Sequence, residues 1–348
     1  MEKILVAFAM FLAIAGSALA DGDARTAPLF AGNEPIEITI TAPFKAIMRE
    51  RSLEEYTQGT LVYHDAESGE DTSLDIGIRT RGRFRHDRKV CPFAPLRLNF
   101  RKTKGTLFAD SDKLKLVTHC RNRSTKYEQL VLKEHLAYRI LNELTDWSFR
   151  TRLANVRYIE STTGKEVADT FAVFIEHREQ LEKRIGMKRD ESASTTVARL
   201  EGQHLNMISV YQFLIGNTDF SPLKGPKGEP CCHNFLLMHD ADTQIAVPYD
   251  FDMAGIVDAP HASPNERFKI SSVRQRLYRG RCVNNVYLDE TFALFRERRA
   301  AIYATVTTLE GLRPDSRKKT VRYLDDFYKL IDSPKQVQRR IINNCLKT

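Results

Sequence analysis

Four polar residues in the stretch 216–255 have the types and the spacing that phosphoryl transfer requires. Asp219 follows the end of an apolar helical segment, and Asn234 begins an apolar run. Asp250 and Asp252 close the next apolar run. In phosphoryl transfer one carboxylate accepts the proton of the attacking hydroxyl, while an amide and a second carboxylate hold Mg²⁺ or Mn²⁺ against the phosphates. The order of these residues therefore predicts a catalytic aspartate, Asp219, followed by three metal ligands, although each acid alone is also typical of a solvated turn.

Asp252 lies two residues after Asp250 in a run that reads as extended chain. Side chains two residues apart in an extended chain point to the same side, so both carboxylates could contact one metal ion. The sequence leaves open which of the two is the main ligand.

Candidate phosphate-binding cations occur in a basic turn and in a later strand. Residues 79–89 hold five arginines, and an arginine suits phosphate because its guanidinium donates hydrogen bonds in pairs. Arg81 and Arg83 are the candidates there, against the alternative of a solvated hairpin tip. Lys113 and Lys115 alternate with leucines and therefore share one face of their strand. We expect that face to offer a lysine to nucleotide phosphates.

An acid, Glu134, lies within the apolar stripe of a helix predicted at 127–144. A buried carboxylate is unfavourable unless it is paired, and Lys115 is the partner that we expect for it. The alternative is that Glu134 lies at the edge of the stripe and is solvated beside Lys133.

The elements that must position these side chains fall into two contrasting segments. Apolar and polar residues alternate in short runs up to residue 120, which predicts a mainly antiparallel sheet. The predicted strands are 36–41, 60–63, 74–78, 96–100 and 114–118, followed after the helix by 153–159 and 170–175. Beyond residue 176 the chain is mainly helical by period. Helices are expected there at 176–185, 288–307, 315–330 and 334–345.

The first twenty residues predict an exported protein. They contain Lys3, an apolar core and a small-residue ending, which is typical of a secretory signal peptide cut after Ala20. No later segment has the ~18 apolar residues that a transmembrane helix needs. We therefore expect a secreted or periplasmic protein without a membrane span, and residues 21–348 are long enough for two lobes with their own cores or for one large domain.

The charge of the chain favours an anionic partner. Lys and Arg number 53 against 45 Asp and Glu, a net charge of +8. This suits a nucleotide, a phosphate, an acidic protein or an anionic lipid surface. A nucleic-acid partner is not expected, because the sequence has neither a basic stripe interleaved with aromatic residues nor a recognisable binding motif.

The six cysteines favour disulfides, because their number is even and the chain is predicted to be exported. Their spacing does not fit a zinc site, since no Cys-x-x-Cys occurs. We expect a disulfide between Cys91 and Cys120, which would join the start of one strand to the end of another. The connectivity of the other four cysteines stays open.

Together these residues resemble the spore-coat CotH-type kinase-like family, an atypical branch of the protein-kinase fold. The resemblance is carried by Arg81-Gly82, Lys113-Leu-Lys-Leu, Leu136-Ala-Tyr, Val173-Phe-Ile-Glu and the later acid, amide and acid. Gly216-Asn-Thr-Asp with the following His-Asn, and then Pro248-Tyr-Asp, is also similar to the catalytic stretch of the HipA toxin kinases. The likeness covers about residues 75–255.

The resemblance implies a two-lobed α+β protein-kinase-like fold, with an antiparallel β-rich N-lobe (21–176) and a mainly helical C-lobe (177–348). It implies that Lys115 binds the α- and β-phosphates, that Glu134 orients Lys115, and that Glu176 lies at a hinge beside adenine. The implied activity is that of an exported phosphotransferase. It would use ATP and Mg²⁺ or Mn²⁺ to phosphorylate a hydroxyl of a protein or a small molecule, and we expect a monomer.

Two departures from the family keep other functions open. The chain has no glycine-rich loop of the ordinary kinase kind, so residues 79–88 would have to replace it. The gap between Asp219 and Asn234 is also longer than in ordinary kinases. One alternative is a catalytically inactive kinase fold that binds an anion or a partner. Another is transfer of a nucleotidyl (AMP) group, which the same residues could support if ATP lay reversed.

Overall fold

The computed structural model of the protein describes residues 25–65, 68–226 and 231–347. The predicted signal peptide, residues 1–20, lies outside them. Within the described residues, seven strands form a closed β-barrel and a mainly helical region follows. The barrel strands are β1 Ile36–Ala42, β2 Thr57–His64, β3 Asp71–Thr80, β4 Leu96–Phe100, β5 Lys113–Val117, β6 Thr151–Glu160 and β7 Glu166–Ile175.

The described residues also form nine α-helices and a small second sheet. The helices are α1 Pro28–Ala31, α2 Phe44–Glu50, α3 Thr125–Asn142, α4 Arg178–Ile185, α5 Gly202–Ile215, α6 Leu288–Glu297, α7 Arg299–Thr307, α8 Pro314–Ile331 and α9 Pro334–Arg340. The second sheet consists of β8 Lys188–Arg189, β9 Phe235–His239 and β10 Gln244–Pro248, in the order β10-β9-β8. The helix predicted at 288–307 is thus divided at Arg298, where α6 ends and α7 begins.

The barrel interior explains why alternation identified its strands. Ile38 and Ile40 of β1 are buried, as are Leu96 and Leu98 of β4. Their side chains belong to one apolar cluster that fills the barrel, as is usual for a barrel of this size. β1 and β4 therefore bury every second residue, which is the period that the sequence shows.

The prediction of a two-lobed kinase-like fold with an antiparallel β-rich N-lobe is wrong. β1 pairs in parallel with β6, from Ile36 opposite Ala154 to Ala42 opposite Glu160, and this pairing closes a mixed barrel. Alternation shows which face of a strand is buried but not which strand lies beside it. The sequence therefore predicted where the strands lie but did not predict the parallel pairing of β1 with β6, which determines the architecture.

Helix α3 links the barrel to the helical region. It packs in one apolar cluster with residues from both parts, for example Leu136 of α3, Val173 of β7, Phe213 of α5 and Phe327 of α8. The division of the chain at residue 176 stays a prediction. What the packing does establish is that α3 lies between the barrel wall and the later helices, where it can present side chains to sites on either side.

All six cysteines form disulfides. Cys91 pairs with Cys120, which confirms the predicted bond, and the other pairs are Cys231–Cys232 and Cys282–Cys345. Disulfides of this kind persist in oxidising compartments. Among the helices of the described residues, none is long and apolar enough to cross a bilayer.

Candidate functional site

A cleft of about 510 Å³ brings together most of the residues that the sequence singled out. The loop between β3 and β4 lines one side, with Arg81, Arg83 and Arg85. The other side comes from the segments after α5 and around the β9–β10 hairpin. Its polar lining residues are Asp219, His233, Asn234, Asp250 and Asp252.

The turn that carries Asp219 depends on Gly216. Helix α5 ends at Gly216 in the left-handed conformation, with φ of 68°, which favours glycine. A Cβ atom at this position would lie 2.1 Å from the hydroxyl of Tyr323, so a larger residue would also clash. The Asn217 side chain then accepts a hydrogen bond from the Asp219 N–H at 2.9 Å. These contacts direct Asp219 into the cleft.

The Asp219 carboxylate is held by two side chains and still reaches solvent. Its Oδ1 lies 2.7 Å from His233 Nε2, and its Oδ2 accepts a hydrogen bond from Asn234 Nδ2 at 3.1 Å. Ser221 and His233 exchange backbone hydrogen bonds, which keeps the two segments together. The side chain of Asp219 is 42% exposed. A carboxylate that is oriented but accessible can accept a proton from a bound hydroxyl.

The β9–β10 hairpin places Asn234 beside the candidate acids. Asn234 precedes β9 and Tyr249 follows β10, and the Tyr249 N–H donates to the Asn234 carbonyl at 3.0 Å. Asn234 and Asp250 both adopt left-handed backbone, with φ of 56° and 63°. Asn and Asp are the non-glycine residues most often found there, at some cost in strain. Strained positions of this kind cluster at functional sites.

Arg85 lies among three carboxylates in the floor of the cleft. Its guanidinium is 3.2 Å from Glu134, 3.0 Å from Asp252 and 3.8 Å from Asp250. Burial opposes the positive charge, but the three acids outweigh it and raise the pKa of Arg85. Glu134 is thus buried and paired, as its place in the apolar stripe suggested, but its partner is Arg85 rather than the predicted Lys115.

The acids around Arg85 differ in their ionisation. Burial raises the pKa of Glu134 to about 7, although Arg85 favours the ionised form. Burial also acts to raise the pKa of Asp252, but Arg85 and His261 outweigh it and lower that pKa. His261 Nε2 lies 3.4 Å from Asp252 Oδ2. The floor of the cleft therefore combines an Asp252 that favours its ionised form with a Glu134 that takes up a proton more readily than a solvated glutamate.

Lys115 lies outside the cleft lining, against the ring of Tyr249. Its Nζ is 5.0 Å from the centroid of the Tyr249 ring, and both residues line a smaller adjoining cavity of about 180 Å³. Burial and the charge of Arg81 lower the pKa of Lys115 to about 8, against the effect of Asp250. A lysine that is destabilised in its charged form is a natural contact for an anionic ligand, whose charge would restore the normal pKa.

The remaining predicted residues divide between the cleft and other places. Arg81 and Arg83 line the cleft. Lys113 lies outside the cleft lining, 3.5 Å from Asp112. Glu176 is buried, and its two carboxylate oxygens accept hydrogen bonds from Arg184 at 2.8 and 2.9 Å. The structure therefore gives the Glu176 carboxylate an internal partner.

The donor atoms of the cleft fit a metal ion that arrives with a phosphate ligand better than a resident one. Within the part of the chain that the structure describes, no group of three His, Cys, Asp or Glu residues could hold a metal ion. Mg²⁺, however, is usually held by one or two carboxylates together with substrate phosphates and water. Asp250 is 45% exposed, and Asn234 donates through its Nδ2, which leaves its Oδ1 as an acceptor.

Among the cleft residues that were not predicted, three bear on its chemistry, namely Arg85, His233 and Phe84. Arg85 is one of five arginines in a short turn, so only its contact with Glu134 distinguishes it. His233 precedes Asn234 directly, which is a signal that the sequence did contain. Phe84 is 55% exposed at the cleft, and its ring centroid lies 5.7 Å from that of His261. An exposed aromatic residue in a basic turn is the feature that could have indicated it.

No protein-family model matches the sequence, and comparison with curated proteins found no match. The resemblance to the CotH-type and HipA kinases therefore stays a hypothesis drawn from motifs. The function has to be inferred from the cleft itself.

Proposed function

We propose that the protein is a phosphotransferase that moves a phosphoryl group from ATP, with Mg²⁺ or Mn²⁺, to a hydroxyl of a protein or a small molecule. The observation that carries the proposal is the joint placement of an accessible, oriented carboxylate and a group of cations and acids in one cleft. Asp219 is that carboxylate, and Arg81 and Arg85 face it across the cleft. The proposal rests on this cleft and not on a kinase fold.

The reaction assigns a distinct task to each side of the cleft. An acceptor hydroxyl bound beside Asp219 would attack the γ-phosphorus of ATP, and its proton would pass to the Asp219 carboxylate. The new bond joins the acceptor oxygen to phosphorus, while the bond from phosphorus to the β,γ-bridging oxygen breaks. ADP leaves with that electron pair. His233, at 2.7 Å from Asp219, would orient the carboxylate and stabilise its charge.

The cations of the cleft would hold the phosphates in line with the acceptor. Arg81 faces the cleft directly, and Lys115 would contact phosphates from the adjoining cavity. A divalent ion, when bound through Asp250 and Asn234 with Asp252 beside them, would neutralise phosphate charge. Electrostatic stabilisation and positioning account for most of the catalysis of phosphoryl transfer.

A second function, anion binding without turnover, is favoured by one contact. Arg85 already supplies a positive charge to Asp250 and Asp252, at 3.8 and 3.0 Å. A metal ion at these acids would have to displace Arg85 or share the acids with it. If Arg85 stays in place, the cleft would bind a nucleotide or another anion and do no chemistry.

We place this activity outside the cytoplasm, in the secreted or periplasmic space. The three disulfides support that location, because they persist in oxidising compartments. The predicted signal peptide, whose residues the structure does not describe, remains the second reason for it.

The deciding experiment incubates the oxidised protein with ATP labelled at either the α- or the γ-phosphate, with Mg²⁺ or Mn²⁺ and with polypeptide and small-molecule hydroxyl acceptors. Label transferred from the γ-position alone supports phosphoryl transfer, and label from the α-position would instead show nucleotidyl transfer. Asp219→Asn should abolish transfer and keep nucleotide binding. Asp169→Asn, which changes an exposed acid on β7, is the matched control. Nucleotide binding without any transfer would favour the anion-binding function.

A further inference from the structure

A second cavity, of about 400 Å³, is lined by a different face of α3 from the one that carries Glu134. It is bounded by α3, by the segment 256–258, by Arg274 and by the start of α8. Five of its lining residues are cationic, and we call it the basic cavity. These residues are Lys126, Lys133, Arg274, Arg313 and Lys319.

The acids that line the basic cavity compensate only part of this charge. Asp258 lies 3.4 Å from Arg274, and Asp315 lies 3.4 Å from Arg313. Both acids are thereby matched to the two arginines. The three lysines have no ion pair with an acid of the described residues. The cavity therefore keeps a net positive charge that the protein itself does not balance.

Lys133 shows the effect of this crowding. Its Nζ donates a hydrogen bond to the carbonyl of Val257 at 2.5 Å, so the ammonium is fixed at the wall of the cavity. Burial lowers the pKa of Lys133 to about 8; Asp258 opposes this, but Arg274 and Lys319 reinforce it. Like charges that are held together in a concave site are stabilised when an anion joins them.

The helices that form the basic cavity add to its positive potential. α3 and α8 are each 18 residues long, and residues of the first turn of both line the cavity. The amino-terminal end of a helix carries a partial positive charge. The hydroxyl-bearing residues Ser316 and Thr125 lie in these first turns and could also bond to phosphate oxygens.

We propose that the basic cavity binds a compact anion with at least two phosphate groups, of the class of diphosphate or a small organic polyphosphate. The lysines come from two helices and line one concavity, so several phosphate groups can each meet a cation. The charges line a concavity rather than an extended face, which favours a small molecule over a nucleic acid or a membrane. This site is separate from the cleft and does not depend on the phosphotransferase proposal.

The test is calorimetric titration of the oxidised protein with pyrophosphate and with inorganic phosphate, at neutral pH and physiological ionic strength. Lys126→Gln with Lys319→Gln should weaken pyrophosphate binding by about tenfold or more, because two charge-assisted contacts are lost. Lys318→Gln with Lys335→Gln removes the same charge from exposed positions outside the cavity and should leave binding unchanged. Inorganic phosphate should bind more weakly than pyrophosphate.

A third variant separates the basic cavity from the cleft. Lys115→Met should keep the pyrophosphate affinity of the basic cavity, because Lys115 lies outside the lining of that cavity. Loss of binding in Lys115→Met with no change in the cavity variant would overturn the proposal. So would equal weakening in the cavity variant and in its control, since this would show an effect of net charge alone. The thermal melting temperature of each variant is checked before titration. If the double variant Lys126→Gln with Lys319→Gln melts at a lower temperature than the unaltered protein, the single variant Lys319→Gln is titrated instead.

Discussion

Neighbouring residues of α3 contribute to the cleft and to the basic cavity, and the two regions differ in how their charges are balanced. Glu134 of α3 meets Arg85 in the cleft, where one guanidinium is shared by three carboxylates. The residue before it, Lys133, faces the basic cavity, where lysines and arginines outnumber the acids. The cleft balances its buried charges within the protein, whereas the cavity leaves a surplus that only an external anion can balance.

This difference predicts that removal of a cation changes the stability of the protein in opposite directions in the two regions. A buried charge that loses its only partner is strongly destabilising. A cation removed from a crowd of like charges relieves repulsion instead. The sign of the change in the free energy of unfolding therefore tests the comparison directly.

Arg85→Met should give the largest effect. Three carboxylates would then lose their common partner, which should lower the free energy of unfolding by about 3–5 kcal/mol. Chemical denaturation at pH 7 measures the change. Arg101→Met, which alters an exposed arginine just after β4, is the control and should change stability little. A loss in Arg85→Met no larger than that of the control would show that the cleft does not depend on this charge pairing.

The Cys91–Cys120 bond should matter next, because it fixes the loop that carries Arg85. Arg51 also holds this loop, through hydrogen bonds from its Nη2 to the carbonyls of Cys91 and Pro92. Cys91→Ser with Cys120→Ser should lower stability by about 3 kcal/mol and weaken nucleotide binding in the cleft. Pyrophosphate binding in the basic cavity should persist, as measured by calorimetry.

The matched control for that bond is the disulfide Cys282–Cys345, neither of whose cysteines lines the cleft. Its double serine variant should lose stability to a similar degree and keep nucleotide binding. Equal loss of nucleotide binding in both variants would mean that the first bond acts only through global stability.

Nucleotide affinity in the cleft should fall as pH rises through about 8. Lys115 has a pKa of about 8 in the free protein, and a bound phosphate would raise it, so binding above that pH must take up a proton. Linkage then lowers the affinity by at most about tenfold per pH unit. Titration in two buffers of different ionisation enthalpy measures the uptake, in the Lys126→Gln/Lys319→Gln background so that the basic cavity does not contribute. A pH dependence that persists in Lys115→Met would assign it to another group.

Lys319→Gln should give the smallest effect, and it should have the opposite sign to that of Arg85→Met. Relief of repulsion among the cavity lysines should raise the free energy of unfolding by about 0.2–0.5 kcal/mol at low salt. High salt should remove the gain, because screening weakens interactions between exposed charges. Lys318→Gln, on the same helix but outside the cavity lining, should give a smaller gain in the free energy of unfolding. A salt-independent loss of stability in Lys319→Gln would show that the cavity lysines do not repel one another and that the two regions do not differ in this way.

The sequence predicted the parts of the fold that depend on local periodicity. Alternation located the barrel strands, and the apolar stripe located α3, because burial of one face imposes a period on each element. The closing pair of β1 with β6 was missed, since it joins segments more than a hundred residues apart. The local pattern of apolar and polar residues in β1 does not indicate which distant strand will pair with it.

The candidate site shows the same division. Asp219, Asn234 and Asp250 come together because they follow or precede elements that meet at one end of a hairpin, which their order along the chain already indicated. Partners of buried charges were harder to predict. Glu134 could have paired with any nearby cation, and the fold selected Arg85. Glu176 likewise pairs with Arg184, eight residues later, and Arg184 is also held by the carbonyl of Asp146.

The parallel pair of β1 and β6 also has a consequence for synthesis of the chain. β1 receives its second neighbour only after the whole segment up to β6 has been made, so until then one edge of the growing sheet is open. Unpaired edges recruit other strands, and pairings between distant segments form slowly. We expect newly made chains to be most prone to aggregation in this interval, and a chaperone that covers a strand edge would improve the yield more than one that covers a helix.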